Sequence, residues 1–201
     1  MTSAESRIEY WRQKADAASV FDAATPGAVH TAGVKLESAG VLEAIVTQNV
    51  DGLHQDAGSS TDVVIEVHGT GREAVCLECG DRTPIGPHLT SFVDTGVPPR
   101  CAVCGGIVKP ATISFGQTLD PFTVSRATRA AERTDLVIAL GSTLSVYPAA
   151  ELPLRAAGLG APYVIVNRGD TDHDGHPLVT LRIDGDVDEV FPSAVDAALG
   201  T

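Results

Sequence analysis

The chain has 201 residues, 43% hydrophobic and 20% charged, enough for one large domain with a small insert and too apolar throughout for wholesale disorder. Its formal net charge is −12, with three lysines against eleven arginines. That balance argues against phosphate-driven nucleic-acid binding and leaves basic, lysine-rich protein segments as fitting partners.

No run approaches the roughly 18 apolar residues of a membrane span. The N-terminus, MTSAESRIEYWRQK, has neither the apolar core nor the small-residue cleavage site of a secretory signal. A cytoplasmic setting is therefore expected, and the four cysteines are read first as metal ligands or nucleophiles.

Ile8, Trp11, Ala15 and Ala18 share one face of a helix predicted over residues 3–24. Pro26 opens a second helix, which runs to about residue 38 and is closed by Gly40. Two short apolar runs follow, Ala44-Ile45-Val46 and Val63-Val64-Ile65-Glu66-Val67, each read as a buried parallel strand with a polar site at its carboxyl end. Residues 70–110 hold all four cysteines and five of the twelve prolines, and they predict a small inserted lobe, leaving 1–69 and 111–201 as the main domain. A helix near 121–134 leads to a strand over 136–140, ending at Gly141-Ser142-Thr143. A helix over 148–158, a strand over 163–166 ending at Asn167, a strand over 179–183 ending at Asp184-Gly185-Asp186, and a helix over 187–199 complete the chain. Asp172-His173-Asp174-Gly175-His176 reads as a solvated loop. The alternation predicts an α/β fold, a doubly wound, Rossmann-like parallel sheet whose ligand crevice lies beyond the strands' carboxyl ends.

Cys76-x2-Cys79 and Cys101-x2-Cys104 are separated by 21 residues, and each pair is followed by glycine. A two-residue spacer lets both thiolates of a pair reach one ion, and four thiolates close a tetrahedral zinc site with no open position. Such a zinc is structural, and its ligation releases on the order of 10–16 kcal/mol, enough to fold a lobe with little core of its own. Redox dithiols or two disulfides are the alternatives to zinc.

Thr47-Gln48-Asn49-Val50-Asp51-Gly52-Leu53-His54-Gln55-Asp56-Ala57-Gly58 packs amide, carboxylate and imidazole groups into a turn after a strand. His68 stands at the end of the next strand, in Val67-His68-Gly69. A lone histidine is more often structural than catalytic. This one falls at the expected crevice, and an imidazole titrating near about 6.5 suits general-base work at neutral pH.

These segments, together with the paired CxxC knuckles, Ile113-Ser114-Phe115-Gly116-Gln117, Gly141-Ser142-Thr143-Leu144 and Val146-Tyr147-Pro148-Ala149-Ala150, resemble the sirtuin family in order and spacing from about Pro26 to Val190. The resemblance implies an NAD-dependent protein-lysine deacylase, acting on acylated-lysine proteins or peptides and giving nicotinamide, free lysine and O-acyl-ADP-ribose. It implies that His68 is the general base toward a ribose hydroxyl and that Asn49 orients the ribose and a water. Gln48 would hold the same ribose, and Asp51 would position the nicotinamide carboxamide. Ile113 would offer backbone groups to the acyl-lysine, with Phe115 and Gly116 lining its tunnel. Gly141, Ser142 and Thr143 would meet the phosphates and adenosine side, Asn167 the adenosine ribose, and Asp186 and Val187 the adenine.

The sequence also departs from the family. Ser142-Thr143 stands where Thr-Ser is frequent, Gln117 where an acidic residue is common, and Arg168 follows Asn167 where many members have an apolar or acidic residue. Tyr10 is followed by Gln13 rather than the arginine of an acidic-acyl pair, so succinyl selectivity is not expected. Nothing resembles the opening strand and Gly-Ala-Gly-Ile-Ser loop of the family, and residues 1–25 resemble the helical stretch that follows them. The sheet is therefore expected to be interrupted between the strand ending at Gln48 and that ending at Gly141, and NAD affinity to fall for want of the pyrophosphate loop. A fragment, a misplaced start and a decayed gene product would all give this pattern. The alternatives to a deacylase are a non-catalytic acyl-lysine-binding remnant and a protein mono-ADP-ribosyltransferase. Acyl preference and oligomeric state are not legible.

Overall fold

A computed structural model of the protein describes residues 3–114 and 116–200. Helix α1 (Ala4–Ala23) leads to α2 (Ala28–Ser38), β1 (Ile45–Thr47), α3 (Leu53–Ala57), β2 (Val64–Glu66) and β3 (Gly69–Cys76). Next come β4 (Arg82–Pro84), α4 (Ile85–Thr95), β5 (Val108–Thr112), α5 (Pro121–Arg133) and β6 (Val137–Leu140). The chain ends with α6 (Glu151–Gly158), β7 (Tyr163–Asn167), β8 (Leu181–Asp184) and α7 (Val187–Leu199).

Local chemistry sets the helix ends. The Ser3 hydroxyl accepts from the Ser6 amide at 3.1 Å and starts α1. The Asp120 carboxylate accepts from the Thr123 amide at 2.8 Å, with Pro121 in the first turn of α5. Asp186 caps α7 in the same way, and left-handed Gly96 closes α4.

One compact unit comprises Met1–Thr25, Asn49–Gly52 and His68–Thr118. Its antiparallel sheet has the order β4-β3-β5, with Ala74 opposite Thr83 and Cys76 opposite Val108. Trp11, fully buried, packs with Ala74, Cys76, Phe92, Cys101 and Val108, and Ile8, Ala15, Ile85 and Leu89 surround this cluster. Of the predicted face of α1, Ile8, Trp11 and Ala15 join this cluster, and Ala18 does not. Residues 70–110 lie within this unit, and α1 shares their core.

The second unit comprises Pro26–Gln48, Leu53–Val67 and Leu119–Thr201, and contains two parallel sheets, β1-β2 and β6-β7-β8. Helices cover both faces, as in a doubly wound fold. Leu140 of β6 packs with Ala32, Val29 and Leu36 of α2 and with Phe191 and Val195 of α7. Its neighbours Val137 and Ala139 face the other way, toward Leu154 and Ala157 of α6, with Tyr163 and Ile165 of β7. Ile65 of β2 and the adjoining Val67 meet Ala127 and Ala130 of α5.

The expected interruption is present. Among the described residues, β1 pairs with β2 alone and β6 with β7 alone. Val46 and Ile138, on these two strands, are 39% and 36% exposed. Helix α2 touches both sheets. It meets β6 through the Leu140 cluster, and a Cβ at Gly33 would lie 3.2 Å from Ile45 Cδ1 of β1. No helix among the described residues is long and apolar enough to cross a membrane.

Trp11→Ala empties the centre of the first unit's core. We expect it to cost about 3–5 kcal/mol, read as a lower urea midpoint by circular dichroism. An unchanged midpoint would show that α1 is not integral to this core.

Candidate functional site

The four cysteine sulfurs lie within 4.8 Å of one another. Cys76 Sγ and Cys104 Sγ are 3.5 Å apart, and Cys79 Sγ and Cys101 Sγ 3.6 Å. A tetrahedral ion with sulfur at about 2.3 Å needs sulfur–sulfur edges of about 3.8 Å, so the cluster has the dimensions of a zinc site. Glycine turns shape both knuckles. The Gly80 amide donates to the Cys76 carbonyl at 3.1 Å and the Gly105 amide to the Cys101 carbonyl at 2.9 Å, both glycines in the left-handed region. A side chain at Gly106 would collide with the Glu78 carboxylate and lie 2.9 Å from Cys76 Sγ.

The thiols do not share one acidity. Amides of Cys104 and Val103 donate to Cys101 and hold it down to about 7. The Asp81 amide pulls Cys79 down as well, but the thiols of Cys104 and Cys76 outweigh it and push Cys79 up to about 12. A divalent cation that accepts four thiolates removes this competition.

The same unit holds the chemistry-bearing loop. Gly52 has φ +71° and a buried backbone, and a side chain there would run into Arg72. Arg72 Nε donates to the Asp51 carbonyl at 2.8 Å, and the Gly71 amide to the Val50 carbonyl at 2.7 Å. Residues 49–52 are thereby tied to the start of β3. His68 immediately precedes β3, and its carbonyl accepts from the Ile113 amide at 2.8 Å. Gly69, at φ +72°, sits opposite Thr112, where a Cβ would overlap the Ala111 carbonyl oxygen. Asn49, Asp51, His68 and Ile113 are therefore all joined to one strand pair, β3 with β5.

The second unit gathers the other group of residues named from the sequence. Gln48 follows the end of β1. Gly141, Asn167 and Asp186 follow the carboxyl ends of β6, β7 and β8, which are adjacent and parallel, with Leu140 opposite Val166 and Asn167 opposite Asp184. A nucleotide seats at such an edge in open α/β sheets. Gly141 is left-handed, and so is Leu144, the one non-glycine residue with positive φ among the described residues. Ser142 Oγ accepts from the Leu144 amide at 3.1 Å, which tightens the turn. Asn167 is buried, and its Nδ2 donates to the carbonyls of Arg168 and Gly169, so the amide's acceptor atom is Oδ1. The Asp186 carboxylate holds the Asp188 amide at 2.9 Å and Arg168 at 2.7 Å. Val187 lies 3.8 Å from the position of a Cβ on Gly141.

Gly116 is exposed and left-handed, and Phe115 lies outside the described residues. Arg72 escaped the sequence reading, because nothing local to Gly71-Arg72 announces a partner 21 positions earlier. One expectation is corrected. The stretch is exposed at Asp172, Asp174 and Gly175, but His173 is 2% exposed, because its side chain turns inward onto Tyr163, whose hydroxyl meets His173 Nδ1 at 2.9 Å.

A model of the Sir2 family matches residues 1–148. An NAD-dependent protein deacetylase of Rhodopseudomonas palustris is 40% identical over 180 residues, covering 90% of this chain and 71% of the relative. NAD-dependent protein deacetylase 1 of Bradyrhizobium diazoefficiens is 41% identical over 184 residues, covering 92% and 72%. A solved structure of Sir2 bound to an acetylated peptide superimposes with a TM-score of 0.87 at 35% identity, over 96% of this chain and 79% of that one. A Sir2 homolog–NAD complex gives a TM-score of 0.87 at 32% identity, over 98% and 74%.

Gly69→Ala forces a Cβ into the Ala111 carbonyl at positive φ and is expected to cost about 2 kcal/mol or more. Gly86→Ala in α4 meets open space, and should be neutral or stabilise by up to about 1 kcal/mol. Parallel urea titrations of the two variants check this. Equal midpoints would remove the claim that Gly69 is fixed by close approach.

Proposed function

The chain belongs to the Sir2 family, and we propose that it is an NAD-dependent protein-lysine deacylase whose zinc is structural and whose chemistry is carried by the His68 junction. One observation carries the reading: Asn49, Asp51 and His68 are brought onto a single strand pair by the Gly71–Val50, Arg72–Asp51 and Ile113–His68 hydrogen bonds. A binding module has no need of an imidazole, an amide and a carboxylate so anchored.

Bound NAD supplies an electrophilic ribose carbon, with nicotinamide as its leaving group, to the acyl oxygen of a modified lysine. His68 accepts the proton of a ribose hydroxyl at its imidazole, and the backbone bond to Ile113 limits how far its Cα can drift. Asn49 orients the ribose and the attacking water through its side-chain amide. Gln48 holds the same ribose, and Asp51 accepts from the nicotinamide carboxamide. Ile113 presents backbone groups to the acyl-lysine beside Gly116. The turn Gly141-Ser142-Thr143 offers amides and hydroxyls to the phosphates, Asn167 Oδ1 meets the adenosine ribose, and the backbone at Asp186-Val187 borders the adenine. The net charge of −12 favours encounter with basic, lysine-rich segments. The thiolates of Cys76, Cys79, Cys101 and Cys104 would hold zinc with no open position, and it takes no part in the transfer.

Purified chain, mixed with NAD and an acetyl-lysine peptide, is expected to release nicotinamide only when the peptide is present. His68→Ala should lower that rate by about 10²–10⁴-fold with peptide binding retained. Tight peptide binding without any release from the wild-type chain would instead support the non-catalytic reading.

A further inference from the structure

Tyr163 and His173 form a buried polar pair for which the proposed chemistry has no use. The Tyr163 side chain, at the first position of β7, is fully buried, and its ring stands at 79° to the imidazole of His173 with centroids 6.0 Å apart. The hydroxyl and His173 Nδ1 are 2.9 Å apart. His173 Nε2 is buried and has no hydrogen-bond partner, and the ring of His176 lies with its centroid 6.2 Å from that of His173. A charged imidazole would need acceptors for two N–H groups, and this pocket offers one oxygen. The site is built for the neutral ring.

The loop that carries His173, residues 168–180, reaches the nucleotide edge at two points. The Asp172 amide donates to the Thr143 carbonyl at 2.9 Å. The Asp174 carboxylate accepts from the Thr171 amide at 3.1 Å, the Thr171 hydroxyl at 2.7 Å and Arg182 Nε at 2.8 Å. Arg182 in turn donates to the Asn167 carbonyl at 3.0 Å. The far end of the loop is fixed to the base of β7 by the Thr180 amide, which donates to the Tyr163 carbonyl at 2.8 Å.

We propose that the Tyr163–His173 pair is a positioning latch: while His173 is neutral it holds the 168–180 loop closed, and so sets Thr143 and Asn167 for the adenosine end of a nicotinamide dinucleotide. The identity of the ligand rests on the deacylase reading, whereas the latch does not. The titratable and charged groups around His173 are Tyr163 from β7, His176, Asp172 and Asp174 from the loop, and Arg182 from β8, which is paired to Asp174. Burial, then His176, lower the pKa of His173 below its ordinary value of 6.5, and Asp172 opposes them. Opening the loop returns the ring to that ordinary value, so the open form takes up the proton first. Closure is therefore at full strength above about pH 6.5 and weakens as the pH falls through it.

The test uses the full chain, with amide exchange of Asp172 in the absence of ligand and calorimetric titration with NAD, from about pH 7.5 to about pH 5.5. In the wild type, Asp172 protection and NAD affinity should both fall about tenfold across this range, the scale of one buried hydrogen bond. Tyr163→Phe should already show that loss at the upper pH, with KM for NAD raised and kcat unchanged. His173→Asn keeps a neutral amide near the Nδ1 position and should fold and flatten the pH profile. His176→Gln, which removes one of the groups that lower the His173 pKa, should keep the direction of the profile and make it shallower. Asp172 protection that is independent of pH and indifferent to both Tyr163→Phe and His173→Asn would overturn the latch. Failure of the wild type to bind NAD at any pH would count against the deacylase reading alone, since the exchange measurement still decides the latch.

Discussion

At Gly69 the backbone of β3 comes so close to the Ala111 carbonyl that a hydrogen atom is the largest side chain that fits. Much of the first unit follows from that approach. It lets His68 share a backbone hydrogen bond with Ile113, and it fixes where the Asn49–Gly52 loop attaches at Gly71 and Arg72. The same strand pair breaks register after Gly69, resumes with Ala74 opposite Pro110 and reaches Cys76 opposite Val108, at the cysteine cluster. The metal knuckles therefore clamp one end of a strand pair whose other end, beyond the register break, carries the imidazole. Trp11, packed against Cys76 and Cys101, couples α1 to the clamp.

The second unit is organised differently. Its two parallel sheets are not joined by a ladder among the described residues, so α2 links them by packing alone, against Ile45 on one and Leu140 on the other. Side-chain packing resists sliding less than a row of backbone hydrogen bonds does, and open strand edges are sites where another strand can pair. The larger sheet escapes this weakness because β6, β7 and β8 remain in continuous register from Val137 to Asp184. The cross-links of Arg182 and Asp174 then stiffen the loop beyond β7.

The parallel strands and their helices were legible to within a few residues, because short apolar runs bounded by polar or glycine residues have one stable reading in an alternating chain. The paired CxxC motifs were equally legible, since the ion dictates their spacing. Within the lobe, α4 and the β3–β4–β5 sheet were not. β4 and β5 are short and each holds a proline, α4 has a proline in its first turn, and β3 opens on Gly-Thr-Gly, so none shows a clear period of its own. The role of Arg72 depends on a loop 21 residues away, and that of His173 on a hydroxyl ten residues away. The stretch around His173 read as a solvated loop, and Asp172 and Asp174 are indeed exposed. Asp174 turns its carboxylate onto Thr171 and Arg182, and the histidine between the two aspartates points inward to the Tyr163 hydroxyl.

The claim that the cysteine clamp and the His68 junction are one mechanical element is open to a direct measurement. The metal is stripped with a chelator, and amide exchange is followed residue by residue. The account predicts that Ile113 and Gly71, bonded to His68 and Val50, lose protection together with Leu77 in the knuckle, whereas Gly141, bonded to Val166, keeps its own. Loss confined to Leu77 and Cys101, with Ile113 still protected, would contradict it.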